Sequence, residues 1–202
     1  MGIEKKPSLL LHSCCGPCSS AVLERLVPDY EVTVLYYNPN IEPREEYDKR
    51  LSEQKRLLAE MDLPYPVQLI EGSWDPEEFL TLAAGHEHDR EGGARCAVCF
   101  TQRLTETARR AAEGGFDFFT TTLSVSPYKN AELLNELGEK AGAEFGVAWL
   151  SSNFKKKDGY RRSVELSRQY GLYRQNYCGC RFSLANREAA DRKDREQEEK
   201  KQ

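Results

Sequence analysis

The reactive chemistry of this chain is concentrated in three short runs: Cys14-Cys15-Gly16-Pro17-Cys18, Cys96-Ala97-Val98-Cys99 and Cys178-Gly179-Cys180. All seven cysteines fall within them. Packing cysteines sit singly in apolar stretches, whereas thiols this close together suit a metal ion, an iron–sulfur cluster or a dithiol pair. Cys14, Cys15 and Cys18 are expected where a strand ends and a helix begins. There, free N–H groups and the helix dipole favour thiolate, the form that binds metal or attacks a disulfide. Cys96 and Cys99 open a second expected helix. The two groups together offer the four thiolates of a cubane cluster with one to spare, and a tetrathiolate zinc site fits the same spacing. Cys178 and Cys180 flank one glycine and close only a small, strained disulfide ring, which is readily reduced. A redox-active pair is the reading this favours, with further metal ligation as the alternative.

The other polar residues are less distinctive. His12 is expected as a packed, hydrogen-bonded histidine, and His86 and His88 as members of a solvated loop. Asp48, Lys49 and Arg50 are expected on a helix surface. Lys129 and Asn130 stand where they either hold an anion or cap a helix.

The elements that must position these groups alternate along the chain. Ser8–Ser13 is a short apolar run that reads as a buried strand, followed by a helix from Pro17 to Leu26. Further strands are expected at Glu31–Tyr37, Val67–Ile70, Phe116–Thr121 and Glu144–Leu150. Helices are expected at Pro43–Met61, from Asp75-Pro76 onward, and at Cys96–Glu113, Asn130–Ala141, Ser163–Tyr170 and Arg181 to about Lys200. Alternation of this kind defines an α/β protein, a parallel sheet with helices on both faces, in which ligands sit outside the carboxyl ends of the strands. The first cysteine run and Thr122–Pro127 both follow strands, so both are expected to line one crevice. The chain divides into a single catalytic domain over residues 1–186 and a charged helical tail over 187–202.

Charged residues make up 31% of the chain and hydrophobic ones 39%, with no apolar run near the ~20 residues of a membrane span. Met1-Gly2 is followed by Lys6 where a myristoylation signal needs Ser or Thr, and no secretory signal is seen. A reducing cytoplasm is therefore expected, where clustered cysteines mean metal or catalysis. The net charge of −4 does not favour nucleic acid. One segment does: between Ser151 and Arg174 seven Lys/Arg face only Asp158 and Glu165, with Tyr160, Tyr170 and Tyr173 interleaved. Such a segment suits phosphate contacts and base stacking, or is simply the solvated face of a helix.

No Walker-type phosphate loop or G-x-G-x-x-G follows a strand. Pyrophosphate-loop enzymes carry S-G-G-x-D-S after their first strand, and here that place reads Ser13-Cys14-Cys15-Gly16-Pro17-Cys18-Ser19-Ser20. Thiols have replaced the phosphate-cradling glycines. The runs His12–Cys18, Tyr36-Tyr37-Asn38-Pro39-Asn40-Ile41, Arg95–Cys99, Thr121–Pro127 and Tyr173–Cys180 together resemble the QueH-type epoxyqueuosine reductases over roughly Leu9 to Arg187. The resemblance implies a fold related to the pyrophosphate-loop (HUP-like) adenine-nucleotide hydrolases. It implies the last step of queuosine synthesis, reduction of epoxyqueuosine at the wobble position of a tRNA anticodon. By the same resemblance, Cys14, Cys15, Cys96 and Cys99 hold a [4Fe-4S] cluster and Cys178 and Cys180 form a redox-active pair. Cys18 is an alternative cluster ligand or a ligand to an additional mononuclear iron. The implied partners are the tRNA anticodon arm and an electron donor of unknown identity. Two rivals are a pyrophosphate-loop-like tRNA sulfurtransferase and a zinc-stabilised, non-catalytic RNA-binding protein.

Overall fold

The computed structural model describes residues 6–199. Met1-Gly2 and residues 200–202 of the tail lie outside them. Strands β1 (Ser8–Ser13), β2 (Glu31–Tyr36), β3 (Gln68–Glu71), β4 (Phe118–Thr121) and β5 (Ala148–Trp149) form one sheet in the order β3-β2-β1-β4-β5, and every neighbouring pair is parallel. β1 lies at the centre. Its Leu9, Leu10 and Leu11 pair with Val32, Thr33 and Val34 on one side and with Phe118, Phe119 and Thr120 on the other. A strand covered on both faces needs apolar residues at successive positions, which accounts for the unbroken leucine run.

The two-residue strand period sends those leucines to two separate cores. Leu9 and Leu11 pack with Val22 and Leu26 of α1 (Gly16–Leu26), Leu57 of α2 (Arg44–Glu60) and Leu166 of α6 (Gly159–Gln169). Leu10 packs on the opposite face with Phe119, with Ala108 and Ala111 of α4 (Ala94–Glu113) and with Ala141 of α5 (Ala131–Phe145). Helix α3 (Pro76–Leu82) precedes α4, and α7 (Arg181–Glu199) ends the described chain. The five-strand parallel α/β reading therefore holds. Among the described residues, no helix is long and apolar enough to cross a membrane.

Several boundaries differ from expectation by a few residues, and three departures have a clear local reason. The fifth strand is only Ala148–Trp149 because α5 continues to Phe145. Gly146 then ends the helix with left-handed backbone (φ 71°) and donates to Gly142 O. Phe116 does not join β4, since its N–H closes the end of α4 on Ala111 O (2.9 Å). Residues Thr122–Val125 form a short 3-10 helix, opened by Thr121, whose Oγ1 accepts the Leu123 N–H (3.2 Å). This tight turn directs Ser126–Lys129 back over the carboxyl end of the sheet.

Candidate metal and redox centre

The chain leaves β1 for β2 on one side and leaves β4 for β5 on the other. The switch point of this doubly wound sheet is therefore the gap between β1 and β4, where ligands bind in such folds. A cavity of about 620 Å³ opens there. Cys14 and Cys18 line it from the β1–α1 turn, Ser126 to Lys129 from the segment after β4, and Arg174 to Cys178 from the segment before α7.

The β1–α1 turn gathers three thiols, two of them buried. Cys15 occupies the N-cap of α1 in extended backbone, and its side chain makes no capping bond. The turn is held from below instead: the Ser13 and Ser19 hydroxyls both donate to Gln54 Oε1 of α2 (2.8 and 2.7 Å). The thiols of Cys14, Cys15 and Cys18 lie within 4.8 Å of one another and can hold a metal ion. Cys14 Sγ is 3.8 Å from Cys15 Sγ, and Gln175 Nε2 donates to Cys15 Sγ (3.2 Å).

The second pair sits in the first turns of α4. Cys96 packs against the cluster formed by Cys14, Cys15, Phe100, Leu104, Leu123 and Leu134, and its Sγ accepts the Gly92 N–H (3.2 Å). Cys99 faces another way, packed with Cys180, Phe79 and Ala83. Cys178 is half-buried on the cavity wall and Cys180 is buried behind it; all seven cysteines are free thiols. The structure thus brings the three runs to one place, with Cys14, Cys15 and Cys18 as its tightest group.

The third run reaches this place because it is strapped along α2. Arg56 donates to Tyr170 O (2.8 Å) and Gly171 O (3.0 Å), Glu53 accepts the Tyr173 N–H (2.7 Å), and Glu46 accepts the Tyr173 hydroxyl (3.0 Å). Arg50 donates to Cys178 O (3.0 Å) and Tyr177 O (3.3 Å) and pairs with Glu46 (2.7 Å). Gly179 has φ +127°, and an added Cβ would stand 3.0 Å from Ile41 Cγ1 and 3.1 Å from Arg50 Nη1. A glycine between the two thiols is required here by backbone conformation and space alike. The expected surface placement of Arg50 is therefore corrected: its side chain is 1% exposed, while Asp48 stays at the surface paired with Arg44. Its Glu46-x-x-x-Arg50 spacing looks like an ordinary surface ion pair, and nothing local signals that a distant segment covers it.

Arg103 is the second buried cation that sequence reading missed. It lies on the Cys96–Cys99 face of α4, at i+7 and i+4, a spacing legible in the sequence. Its Nε donates to Cys99 O (3.2 Å) and Nη1 to Asn38 Oδ1 (3.4 Å), while Nη2 has no hydrogen-bond partner. Burial alone would lower its pKa, but the thiols of Cys99, Cys178, Cys14 and Cys96 outweigh burial and hold it charged. Lys129 shows the same opposition, with Cys178, Cys14 and Cys18 raising its pKa against the effect of burial. Together with Arg50, which interacts with Cys15 and Cys14, these cations are the countercharge that a thiolate-ligated metal requires. The orphaned Arg103 N–H is a donor of the kind that cluster sulfur accepts. The donor set therefore fits a thiolate-bound metal centre.

The thiols do not share their protons equally. Hydrogen bonds from Cys15 and Cys18 bring Cys14 well below the usual thiol range. The same contact with Cys14 pushes Cys15 up to about 11, and burial pushes Cys99 up to about 12 and Cys180 up to about 11. Negative charge among these thiols therefore falls first on Cys14, while Cys15, Cys99 and Cys180 give up their protons less readily. A bound metal must displace the remaining protons, so its affinity is expected to rise by about tenfold per pH unit for each proton released. Cobalt(II) titrations of metal-free protein between pH 6.5 and 8.5, about two units, check this. Affinity independent of pH over that range would rule out thiol ligation.

The histidines behave as expected. His12 is fully buried, with Thr121 Oγ1 at 2.8 Å from Nδ1 and Tyr37 O at 3.1 Å from Nε2. The carbonyl can only accept, which assigns the proton to Nε2. Burial, then the nearby Arg103 charge, lower its pKa to about 3, so it stays neutral. His86 pairs with Asp89 (3.0 Å), and its loop is held by Arg95, which donates to His86 O (3.1 Å) and Glu87 O (2.8 Å). Asn130 is the N-cap of α5 and accepts from the Glu132 and Leu133 N–H groups (2.9 and 3.3 Å), whereas Lys129 belongs to the cavity wall.

A parallel α/β sheet carrying clustered thiols at its switch point defines an α/β protein whose thiol site can hold a metal ion. The family model described as epoxyqueuosine reductase QueH matches residues 9–186, and the chain belongs to that family. A QueH epoxyqueuosine reductase of Streptococcus pyogenes is 41% identical over 180 residues, which span 88% of this chain and 71% of the relative. The corresponding protein of Staphylococcus epidermidis is 40% identical over 183 residues, 89% of this chain and 77% of the relative. That of Thermotoga maritima is 34% identical over 183 residues, 89% and 92% of the two chains. A solved structure, the predicted subunit of a tRNA methyltransferase from Methanocaldococcus jannaschii, superposes with a TM-score of 0.46 at 10% identity, covering 81% of this chain and 88% of that one.

Proposed function

We propose that this chain reduces epoxyqueuosine to queuosine at the wobble position of tRNA, in the cytoplasm. The observation that carries the reading is that the first and third cysteine runs line one cavity at the β1/β4 switch point, with Cys96 and Cys99 of the second run close to Cys178, in a chain of the QueH family. Residues 1–186 form the catalytic unit and 187–202 a charged tail. Cys14, Cys15, Cys96 and Cys99 hold a [4Fe-4S] cluster. Cys18, within 4.8 Å of Cys14 and Cys15, is available to it or to an additional mononuclear iron. When bound, this group supplies electrons one at a time at low potential.

The protein side of the reaction follows from the cavity. Converting an epoxide to an alkene consumes two electrons and two protons and releases water. The electrons come ultimately from an external donor. The Cys178 thiol on the cavity wall and the Cys180 thiol behind it supply the two protons and, in closing to a disulfide, two electrons, which the external donor restores by reducing the disulfide. The Tyr177 hydroxyl is already committed to Glu42 O (2.6 Å). Lys129 and Arg103 hold negative charge on the thiol set, and the apolar packing around Cys14 and Cys15 excludes water from it.

The test is the iron, acid-labile sulfide and zinc content of protein purified without oxygen, followed by an assay on tRNA carrying epoxyqueuosine. Iron and sulfide in near-equal amounts, about four or five irons per chain, with product queuosine, is the expected result. Zinc alone, retained after iron–sulfur reconstitution and with no reduction, would replace this reading with a non-catalytic RNA-binding protein.

A further inference from the structure

Two exposed aromatic rings stand on the wall of the thiol cavity: Tyr128, 82% exposed, and Tyr160, 39% exposed. The other tyrosines of the basic segment are used elsewhere. Tyr170 packs on the core and Tyr173 lies under Lys49 with its hydroxyl on Glu46.

The backbone that carries the two exposed rings is held in place. Tyr160 opens α6 after left-handed backbone at Lys157 (φ 52°) and Asp158 (φ 60°), a conformation that side chains other than glycine adopt only when surroundings enforce it. Arg25 of α1 enforces it. Its Nη1 donates to Phe154 O (3.2 Å) and Lys156 O (3.1 Å), and its Nη2 to Lys157 O (2.7 Å). Gly159 meets Phe154 O so closely that any Cβ would overlap it. Tyr128 lies in the turn before α5, where Ser126 Oγ accepts its N–H (3.3 Å). Lys155 ties the two segments together by donating its Nζ to Lys129 O (2.6 Å), and Ser124 accepts from both Phe154 and Lys155 N–H groups (3.2 Å each).

The charge beside these rings is selective. Arg161 and Arg162, further along α6, are neutralised by Asp158, Glu165 and Glu24. Arg174 lines the cavity, bonds Ser167 Oγ (3.2 Å), and has no carboxylate partner among the described residues. The wall therefore offers two exposed π-faces and a guanidinium without a carboxylate partner among the described residues, next to the thiols of the cavity. Unpaired RNA loops are read in this way, by bases splayed onto aromatic faces and phosphates held by arginine.

We propose that Tyr128 and Tyr160 are stacking platforms for the unpaired bases flanking the nucleotide that enters the thiol cavity, and that Arg174 holds a backbone phosphate beside them. The proposal rests on the function proposed above and names the single-stranded anticodon loop as the part of the RNA gripped.

Fluorescence anisotropy with a labelled anticodon stem–loop RNA tests it on the full chain purified without oxygen. Tyr128→Ala and Tyr160→Ala are each expected to weaken binding by about 5- to 100-fold. Tyr128→Phe and Tyr160→Phe are expected to bind within about twofold of the native chain, because the ring and not the hydroxyl stacks. Arg174→Ala is expected to reduce the slope of log affinity against log salt by about one. The proposal is overturned if both alanine variants bind within about twofold of a native chain that binds the stem–loop and reduces tRNA-borne epoxyqueuosine. Equal losses in the alanine and phenylalanine variants would also overturn it, since stacking does not need the hydroxyl. A native chain that neither binds nor reduces the RNA overturns the function itself, a separate outcome.

Discussion

Replacing Cys96 with alanine is expected to yield protein without iron or sulfide and to lower epoxyqueuosine reduction by more than about a hundredfold. Cys96 packs against the apolar cluster that also holds Cys14 and Cys15, so in the proposed centre its loss would remove one soft ligand. Cys178→Ala should give a different pattern, with metal content near that of the native chain and activity equally low. Cys178 faces the cavity from the strap over α2, and its backbone there is held by Arg50 and Ser183 regardless of the side chain. Metal analysis beside the tRNA assay separates the two variants. Loss of iron from Cys178→Ala would show that the third run ligates the centre, and the division between cluster thiols and redox pair would fall.

Arg50→Met is expected to destabilise the fold by about 3–5 kcal/mol, the usual cost of leaving one half of a buried ion pair behind. The abandoned partner is Glu46, whose side chain is 11% exposed. The carbonyls of Cys178 and Tyr177 lose their donor in the same step. For a chain of this size the change corresponds to a fall in Tm of about 6–20 °C. Adding Glu46→Gln should recover part of the stability by removing the stranded charge. It should not recover activity, because the Cys178-Gly179-Cys180 strap remains without its anchor. Urea unfolding of both variants checks the first claim. A single variant within about 1 kcal/mol of native stability would mean that Arg50 fills space and does not hold the strap.

The α/β alternation, the central leucine strand and the placement of the first cysteine run after β1 were all legible in the sequence. Each depends on near neighbours: a two-residue strand period, a proline in a first helical turn, a helix pattern that follows. The seven thiols announced a site for the same reason, since short spacing is visible without knowing where the chain goes next. Three items were harder. The fifth strand was read too long because Gly146, and not the apolar run beside it, decides where α5 stops. Arg50 was read as surface because i,i+4 pairing with Glu46 looks the same whether or not a segment from far along the chain lies over it. Tyr128 was passed over because it stands alone among small and polar residues, while the tyrosines of the basic segment drew attention and only Tyr160 of them reaches the cavity.

By itself the sequence determined the layered sheet, the clustering of the thiols in three runs and the family. Tertiary structure alone decided which thiols meet, with Cys14, Cys15 and Cys18 closest, Cys96 packed on the same apolar cluster as Cys14 and Cys15, and Cys99 packed with Cys180. It also decided that Arg103 and Lys129 supply their countercharge. The physical reason is range. Periodicity and capping act over one or two turns, whereas the burial of a charge and the convergence of thiols depend on segments that approach only when the sheet order β3-β2-β1-β4-β5 brings their strand ends to one crevice.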